Sequence, residues 1–474
     1  MLRKELRICG ILEIRIYGLT IKRSFKKSIY MLEQAVSPKI YSKGDYKRLS
    51  DRIRNNPNDI VAEDYEMLQA LRLTYKESLS IVFNTLDRLA HEIDRNCVCT
   101  YRIKRIESII SKLVRFPEME VQRVADIAGC RCILTSTDQA IELFERIKNS
   151  QDTLPFSIKG DPEKHNYIKS PKDDGYRSIH LNVQIKDNDK KVIEIQIRSL
   201  EHHNWATLVE ISDVIFNSKL KEYGPKEKPD LYEFHKILSK PDCDFTIYDY
   251  TQIAEISGKY RYLEKIGYIF SANTIELRRQ RNQLKMKKIC FFLISTGSDG
   301  KPLIKGFRNF DDAEAEYFQW FSNNHDNKNI VLTHLNKTTF DKLSIAYSNY
   351  FLTYNSTTLR ILRAISIVAT NAYNKFKRSE FKKYYEAFWY IVTIWFGDKL
   401  KETNFFNHDI NIRKSKKKKN EWSSSILSSV YRVNGIIIDM QQRFSKSPFY
   451  FILKREKELI DKKLSQRIVY LRSD

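Results

Sequence analysis

The chain has 474 residues and a formal charge of +23, from 82 Lys and Arg against 59 Asp and Glu. That length predicts roughly two to four domains with ample core, and 42% hydrophobic with 30% charged residues excludes wholesale disorder. Glycine is scarce, at 14 residues, and neither G-x-x-x-x-G-K-[ST] nor G-x-G-x-x-G occurs; any phosphate must therefore meet Lys and Arg side chains instead of a glycine-rich cradle.

Residues 1–30 are strongly basic and weakly periodic, and they make a poor signal peptide because charges interrupt every apolar run. From 45 to 95, Leu68, Leu71, Leu79, Val82, Phe83, Leu86 and Leu89 recur near the helical period after a turn at Asn55–Asn58. Ile103, Ile106, Ile109, Ile110 and Leu113 predict a helix over 102–114. Cys130 to Leu134, Ser178 to Ile185 and Val192 to Arg198 read as strands, and 138–149 as a helix. Three prolines between 225 and 241 read as a linker, followed by a helical, increasingly basic stretch to 288. Strands at 288–294 and 302–306 flank the turn Gly297-Ser-Asp-Gly300, with a helix over 311–322, a strand at 330–335 and a helix from Phe340. The rest is helical and carries the basic run Arg413–Lys419. The expected fold class is therefore α/β (α+β). Its expected divisions are 1–95 (basic arm and helices), 96–224 (mixed α/β core domain), 225–288 (linker and helical segment), 289–355 (a separate small α/β module) and 356–474 (helical basic region).

Seven cysteines at irregular spacing argue against a secreted disulfide framework. Cys97-x-Cys99 and Cys130-x-Cys132 depart from the usual C-x₂-C zinc spacing, so they read as reduced structural thiols. The longest aromatic-apolar stretch, 388–396, is well short of the roughly 20 residues a membrane span needs. The expectation is a cytoplasmic protein with no membrane contact.

Four segments carry chemistry. Arg102-x-Lys104-x-x-x-Ser108-x-x-x-Lys112 places Lys104, Ser108 and Lys112 at i, i+4 and i+8, a stripe suited to polyphosphate. Asp126-Ile-Ala-Gly129-Cys-Arg131 puts an acid at the entry to a strand. Tyr167 to His180 gathers Lys172, Tyr176 and His180 around a Pro…Gly turn. In Ile193-Glu194-Ile195-Gln196-Ile197-Arg198 the period of two puts Glu194, Gln196 and Arg198 on one strand face. Asp126 and Glu194, if brought together, form a carboxylate pair of the kind that holds Mg²⁺ on a nucleotide.

In this order, R-x-K-x-x-x-S-x-x-x-K, D-I-x-G-x-R, Y-I-x-x-P-K-x-x-G-Y-x-S-x-H and E-x-Q-I-R resemble the RelA/SpoT (p)ppGpp synthetase domain, a nucleotidyltransferase-like fold. The likeness covers about residues 96–215, and the following Trp205-Ala206-Thr207 is closer to the small alarmone synthetases, including toxic ones. It implies transfer of pyrophosphate from ATP, as co-substrate, to the 3′-hydroxyl of GDP or GTP, releasing AMP. It implies Mg²⁺ on Asp126 and Glu194, with Glu194 as metal ligand or proton acceptor. Arg102 and Arg131 would sandwich adenine, and Lys104, Ser108 and Lys112 would hold the ATP phosphates. Tyr176 would stack on the acceptor base, while Lys172, His180, Gln196 and Arg198 would orient the acceptor.

The sequence also departs from the family pattern. Asp173 and Asp174 precede the Gly-Tyr pair, next to the expected acceptor site. Some toxic relatives modify the 3′ CCA end of tRNA, and their N-terminal start resembles Tyr41-Ser42-Lys43-Gly44. tRNA, met through basic flanks, is therefore the alternative acceptor, with an antitoxin or regulatory protein as a partner class. An inactive nucleotide sensor is the third reading. The oligomeric state is left open. A hydrolase half is not expected, because His91 is the only histidine before 165 and the pairs His325-Asp326 and His408-Asp409 fall late. Residues 96–215 carry 18 basic and 18 acidic side chains, so all the excess positive charge lies in the flanks, which are the natural place for RNA contact.

Overall fold

The computed structural model describes residues 11–16, 19–24, 41–57, 59–186, 191–218, 220–267, 289–296, 302–323, 330–335, 356–403 and 422–446, with single positions at 455, 458 and 462. The basic stretch 278–288, the 297–300 turn, the helix expected from Phe340, both His-Asp pairs and the run 413–419 lie outside the described residues. Two compact units are present, one drawn from residues 1–77 and 103–127 and the other from 78–102 and 128–474.

In the first unit, the weakly periodic arm holds two antiparallel strands, β1 (Ile11–Ile16) and β2 (Leu19–Ser24). Helices Lys43–Asn55, Ala62–Leu73 and Ile106–Arg115 bury Leu49, Ile53, Leu68, Ile109 and Leu113. Ser42 caps the first of them: its Oγ accepts from the Asp45 amide at 3.2 Å, and the Asp45 carboxylate accepts from the Ser42 amide at 2.8 Å. The Tyr-Ser-Lys-Gly start therefore has a structural role as a helix entry. Ser50 Oγ donates to Tyr46 O and accepts from the Val121 amide, at 2.7 and 2.9 Å, which ties 121–123 to this helix.

The helix expected over 102–114 is shorter. Its first residues belong to strand β3 (Val98–Ile103), buried on both faces, and the helix starts only at Ile106. Lys104 thus precedes the helix and does not share a stripe with Ser108 and Lys112.

The second unit is built on one eight-stranded sheet. Its remaining strands are β4 (Ala128–Leu134), β5 (Phe156–Ile158), β6 (Ile179–Ile185), β7 (Val192–Ser199), β8 (Phe291–Thr296), β9 (Pro302–Phe307) and β10 (Val331–Leu335). The order is β5-β6-β7-β4-β3-β10-β8-β9, with β4 and β7 parallel. β10 pairs antiparallel with β3, so the strands of 289–355 extend the central sheet where the sequence suggests a module of its own. Burial drives this union. Tyr101, fully enclosed, donates to Glu314 at 2.8 Å from helix Phe310–Asn323.

The helical half of the unit shares one core with the strand-following helix Leu200–Ile215. Trp205, Leu208, Phe234, Leu362 and Phe388 belong to a single buried cluster. Trp205 Nε1 donates to His235 O at 2.7 Å, and Asn204 donates to Ser356 at 3.0 Å. Two of the three prolines expected to mark a linker, Pro225 and Pro229, sit in helices Leu220–Glu227 and Pro229–Leu238, and the third, Pro241, precedes a short 3-10 turn. Pro229 occupies the first helical position, where its missing N–H is harmless, and Leu231, Phe234 and Leu238 bury that helix. Among the described residues no helix is long and apolar enough to cross a membrane.

Truncating Leu362 to Ala removes a fully enclosed side chain from this shared core. The expected loss is about 2–5 kcal/mol, read as a lower urea midpoint. An unchanged midpoint would contradict a common core.

Candidate active site

Four of the twelve residues singled out in the sequence, Lys104, Ser108, Lys112 and Asp126, lie in the first unit, and the other eight lie in the second. In the first, Lys104 Nζ and Lys112 Nζ bind the two oxygens of Asp126 at 2.5 and 2.9 Å. The Lys104 amide donates to Ile127 O at 2.7 Å, which fixes the short segment ahead of the helix. Burial works to raise the Asp126 pKa, but the charges and hydrogen bonds of the two lysines prevail and hold it below the ordinary carboxylate range. Ser108 stands one turn before Lys112 on the same helix, Ile106–Arg115.

In the second unit the functional side chains form a ladder on one face of β7. Ile193, Ile195 and Ile197 are fully buried on the other face. Pairing aligns Gly129 with Glu194 and Arg131 with Gln196 on β4, and His180 with Gln196 on β6. A Cβ on Gly129 would lie 2.8 Å from the Glu194 carbonyl, so only glycine permits this approach.

Each rung is hydrogen-bonded. Gln196 Nε2 donates to Glu194 Oε2 at 2.8 Å, and Arg131 Nε and Arg198 Nη2 both donate to Gln196 Oε1, at 3.1 and 3.2 Å. Arg198 also donates to Tyr176 Oη and, at 3.3 Å, to Ser178 Oγ. His180 bridges the two ends: Nδ1 faces Glu194 Oε1 at 3.0 Å and Nε2 meets Tyr176 Oη at 2.8 Å.

Burial opposes the charge on Glu194, yet the hydrogen bond and charge of His180, then Arg102 and Gln196, hold its carboxyl well below the usual range. His180 is raised above its ordinary value against its own burial, by Glu194 and Tyr176. Burial, then the charges of Arg198 and Arg102, push Arg131 down to about 10. Arg102, Arg131 and Arg198 outnumber the carboxylates that act on them, Glu194 and Glu210, and this excess of positive charge favours an anionic ligand.

Tyr176 is more enclosed than a stacking platform needs to be, at 8% exposed. Lys172 Nζ and Arg198 Cζ lie 5.3 and 4.9 Å from its ring centroid. A base stacking there would have to displace the mobile-stemmed Lys172, whose amine lies 4.6 Å from the Tyr167 ring as well. Tyr167 and Ser178 are partners to which sequence reasoning assigns no role. Both lie inside the Tyr167–His180 motif, but only their contacts single them out. Asp174 accepts from the Tyr176 amide at 2.9 Å, so it caps this turn.

A family model described as "Region found in RelA / SpoT proteins" matches residues 101–239. This stretch is similar to that family. The chain is 32% identical over 118 residues to the GTP pyrophosphokinase YwaC of Bacillus subtilis, covering 23% of this chain and 53% of that protein. It is 34% identical over 116 residues to the GTP pyrophosphokinase YjbM of the same organism, covering 23% and 52%. The chain spans about half the length of these curated relatives. The crystal structure of small alarmone synthetase 1 from Bacillus subtilis bound to its product pppGpp superposes with a TM-score of 0.30 at 24% identity, covering 37% of this chain and 90% of that one. The matched residues 101–239 include the whole β7 ladder and both cations that hold Asp126.

The His180–Glu194 pair makes stability depend on pH in a defined sense. A raised His180 pKa contributes stability that is complete below its ordinary 6.5 and lost as pH rises through the raised value. Glu194, shifted down from 4.5, contributes stability above that pH and loses it only at strong acidity. The difference in unfolding midpoint between wild type and His180→Gln should therefore be largest between pH 4.5 and 6.5 and shrink in mildly alkaline buffer. A difference that grows with pH would contradict the pairing.

Proposed function

We propose that the RelA/SpoT region transfers pyrophosphate from ATP to the 3′-hydroxyl of GDP or GTP, making a guanosine alarmone. The observation that carries this reading is the fully partnered, cation-rich ladder Glu194–Gln196–Arg198 with Arg131, Tyr176 and His180. The names of the two relatives support the choice of reaction. In the transfer, the 3′ oxygen bonds to the β-phosphorus, the bond from that phosphorus to the oxygen bridging to the α-phosphorus breaks, AMP departs, and the hydroxyl proton leaves to solvent.

Lys104 and Lys112 bind the ATP phosphates, exchanging Asp126 for a more highly charged partner, with Ser108 as a hydroxyl donor. Arg102 and Arg131 flank the adenine, while Lys172, His180, Gln196 and Arg198 orient the acceptor and Tyr176 takes its base. Asp126 and Glu194 would hold Mg²⁺, and two ionised oxygen donors fit that hard cation. When bound, the ion would neutralise charge on the transferring phosphates. A carboxylate held as low as Glu194 is a weak proton acceptor near neutral pH, so metal binding suits it better than general-base work. In-line phosphoryl transfer through a loose transition state depends mainly on positioning and charge neutralisation, which the ladder provides.

Asp174 keeps its negative charge while it caps the turn, so tRNA stays the alternative acceptor. Acceptor competition decides it: labelled pyrophosphate should pass to GDP or GTP, and preferential labelling of deacylated tRNA would replace the acceptor. Glu194→Gln should lower transfer on the order of 10²-fold or more while calorimetry shows ATP binding retained. Unchanged turnover would refute the role of Glu194.

A further inference from the structure

Away from the β7 ladder, the start of β3 and the middle of β4 bring three cysteines together. The Sγ atoms of Cys97, Cys99 and Cys132 all lie within 4.8 Å of one another, and those of Cys99 and Cys132 are 3.4 Å apart. All three side chains are enclosed, at 1%, 0% and 0% exposed. Cys130, two residues earlier on β4, is not in the group. The clustering arises from strand adjacency and not from two C-x-C pairs.

His91 lies outside that trio, in a second group with Asp87 and His334 whose ligand atoms are within 4.8 Å of one another, and it is linked to the trio through Cys97. His91, in the last turn of helix Lys76–Ile93, directs Nδ1 at Asp87, 2.9 Å from its carbonyl and 3.2 Å from Oδ1. Its Nε2 is buried and makes no hydrogen bond of good geometry, while the Cys97 thiol acts on the same ring. Asp87 is itself anchored by His334 Nδ1 at 2.8 Å, and the His334 ring stacks on Phe291 at 4.4 Å.

We propose that Cys97, Cys99 and Cys132, with His91 Nε2 as fourth ligand, form a structural zinc site. Zinc sits about 2.3 Å from thiolate sulfur in a tetrahedron, which places neighbouring ligand atoms about 3.8 Å apart, close to the spacing here. An iron–sulfur cluster needs ligand sulfurs spread around several metal atoms, wider than this trio allows. Three sulfurs and one imidazole suit a soft, tetrahedral cation better than magnesium or calcium. A carboxylate or backbone carbonyl on the far ring nitrogen is the usual device that fixes a metal-binding histidine, and the Asp87 carbonyl supplies it at 2.9 Å. Three enclosed cysteines and the buried Nε2 of a partly exposed His91 leave no open position, so the ion braces β3, β4 and the helix Lys76–Ile93 and takes no part in chemistry. The site is independent of the reaction proposed above.

The test is the metal content of the full chain, produced with zinc available and purified without chelators or a histidine tag. Elemental analysis should find about one zinc per folded chain. Cys132→Ser should lose it, whereas Cys243→Ser and Cys290→Ser should keep it. If Cys132→Ser does not fold, cobalt exchanged into the wild-type protein decides, because three thiolates give intense charge-transfer absorption. Folded wild-type protein with far less than one zinc per chain, zinc that survives Cys132→Ser, or cobalt without thiolate bands overturns the proposal.

Discussion

The polar face of β7 depends on how closely β4 approaches it beside Glu194. Parallel pairing carries Gly129 against the Glu194 backbone and delivers Arg131 to Gln196 two residues further on. Without that approach, the Arg131 guanidinium would lose its hydrogen bond to Gln196 Oε1, and a desolvated charge without a partner is costly. With it, each charge has an opposite charge or a hydrogen bond, and the arrangement is rigid before any ligand arrives. His180 adds the second constraint, because it joins Glu194 to Tyr176 and so links the strand to the turn that follows Pro171.

The same logic explains the two carboxylates. Asp126 and Glu194 are both kept ionised by cations: two lysines for the first, and a histidine with an arginine nearby for the second. Ionised oxygens are ready ligands for a hard cation, and the lysines are ready ligands for phosphate. On this account the free protein stores its charges as internal pairs and trades them for ligand when ATP arrives. Preorganisation of this sort leaves little reorganisation to be done during the reaction.

Strands β4, β6 and β7 and the polar ladder were legible because strand alternation and motif spacing are local properties. Gln196 and Arg198 follow from Glu194 by the period of two alone. β3 was not legible, because Ile103 fits both the strand that ends there and the helical period that starts at Ile106. Nor does local sequence say that β10 will pair with β3, or that Pro225 and Pro229 will sit in helices packed near Trp205. Those outcomes are decided by tertiary burial. The cysteine trio is of the same kind: its members are joined across strands, where spacing along the chain carries no signal.

The central claim is that the ladder and the lysine-held aspartate serve attack on the β-phosphorus of ATP. The nucleotide left behind reports directly on which bond breaks. With ATP, Mg²⁺ and GDP, phosphorus NMR should show AMP and a guanosine 3′-diphosphate product appearing in equal amounts. ADP with a singly phosphorylated acceptor, or ATP left unchanged with every acceptor offered, would contradict the account.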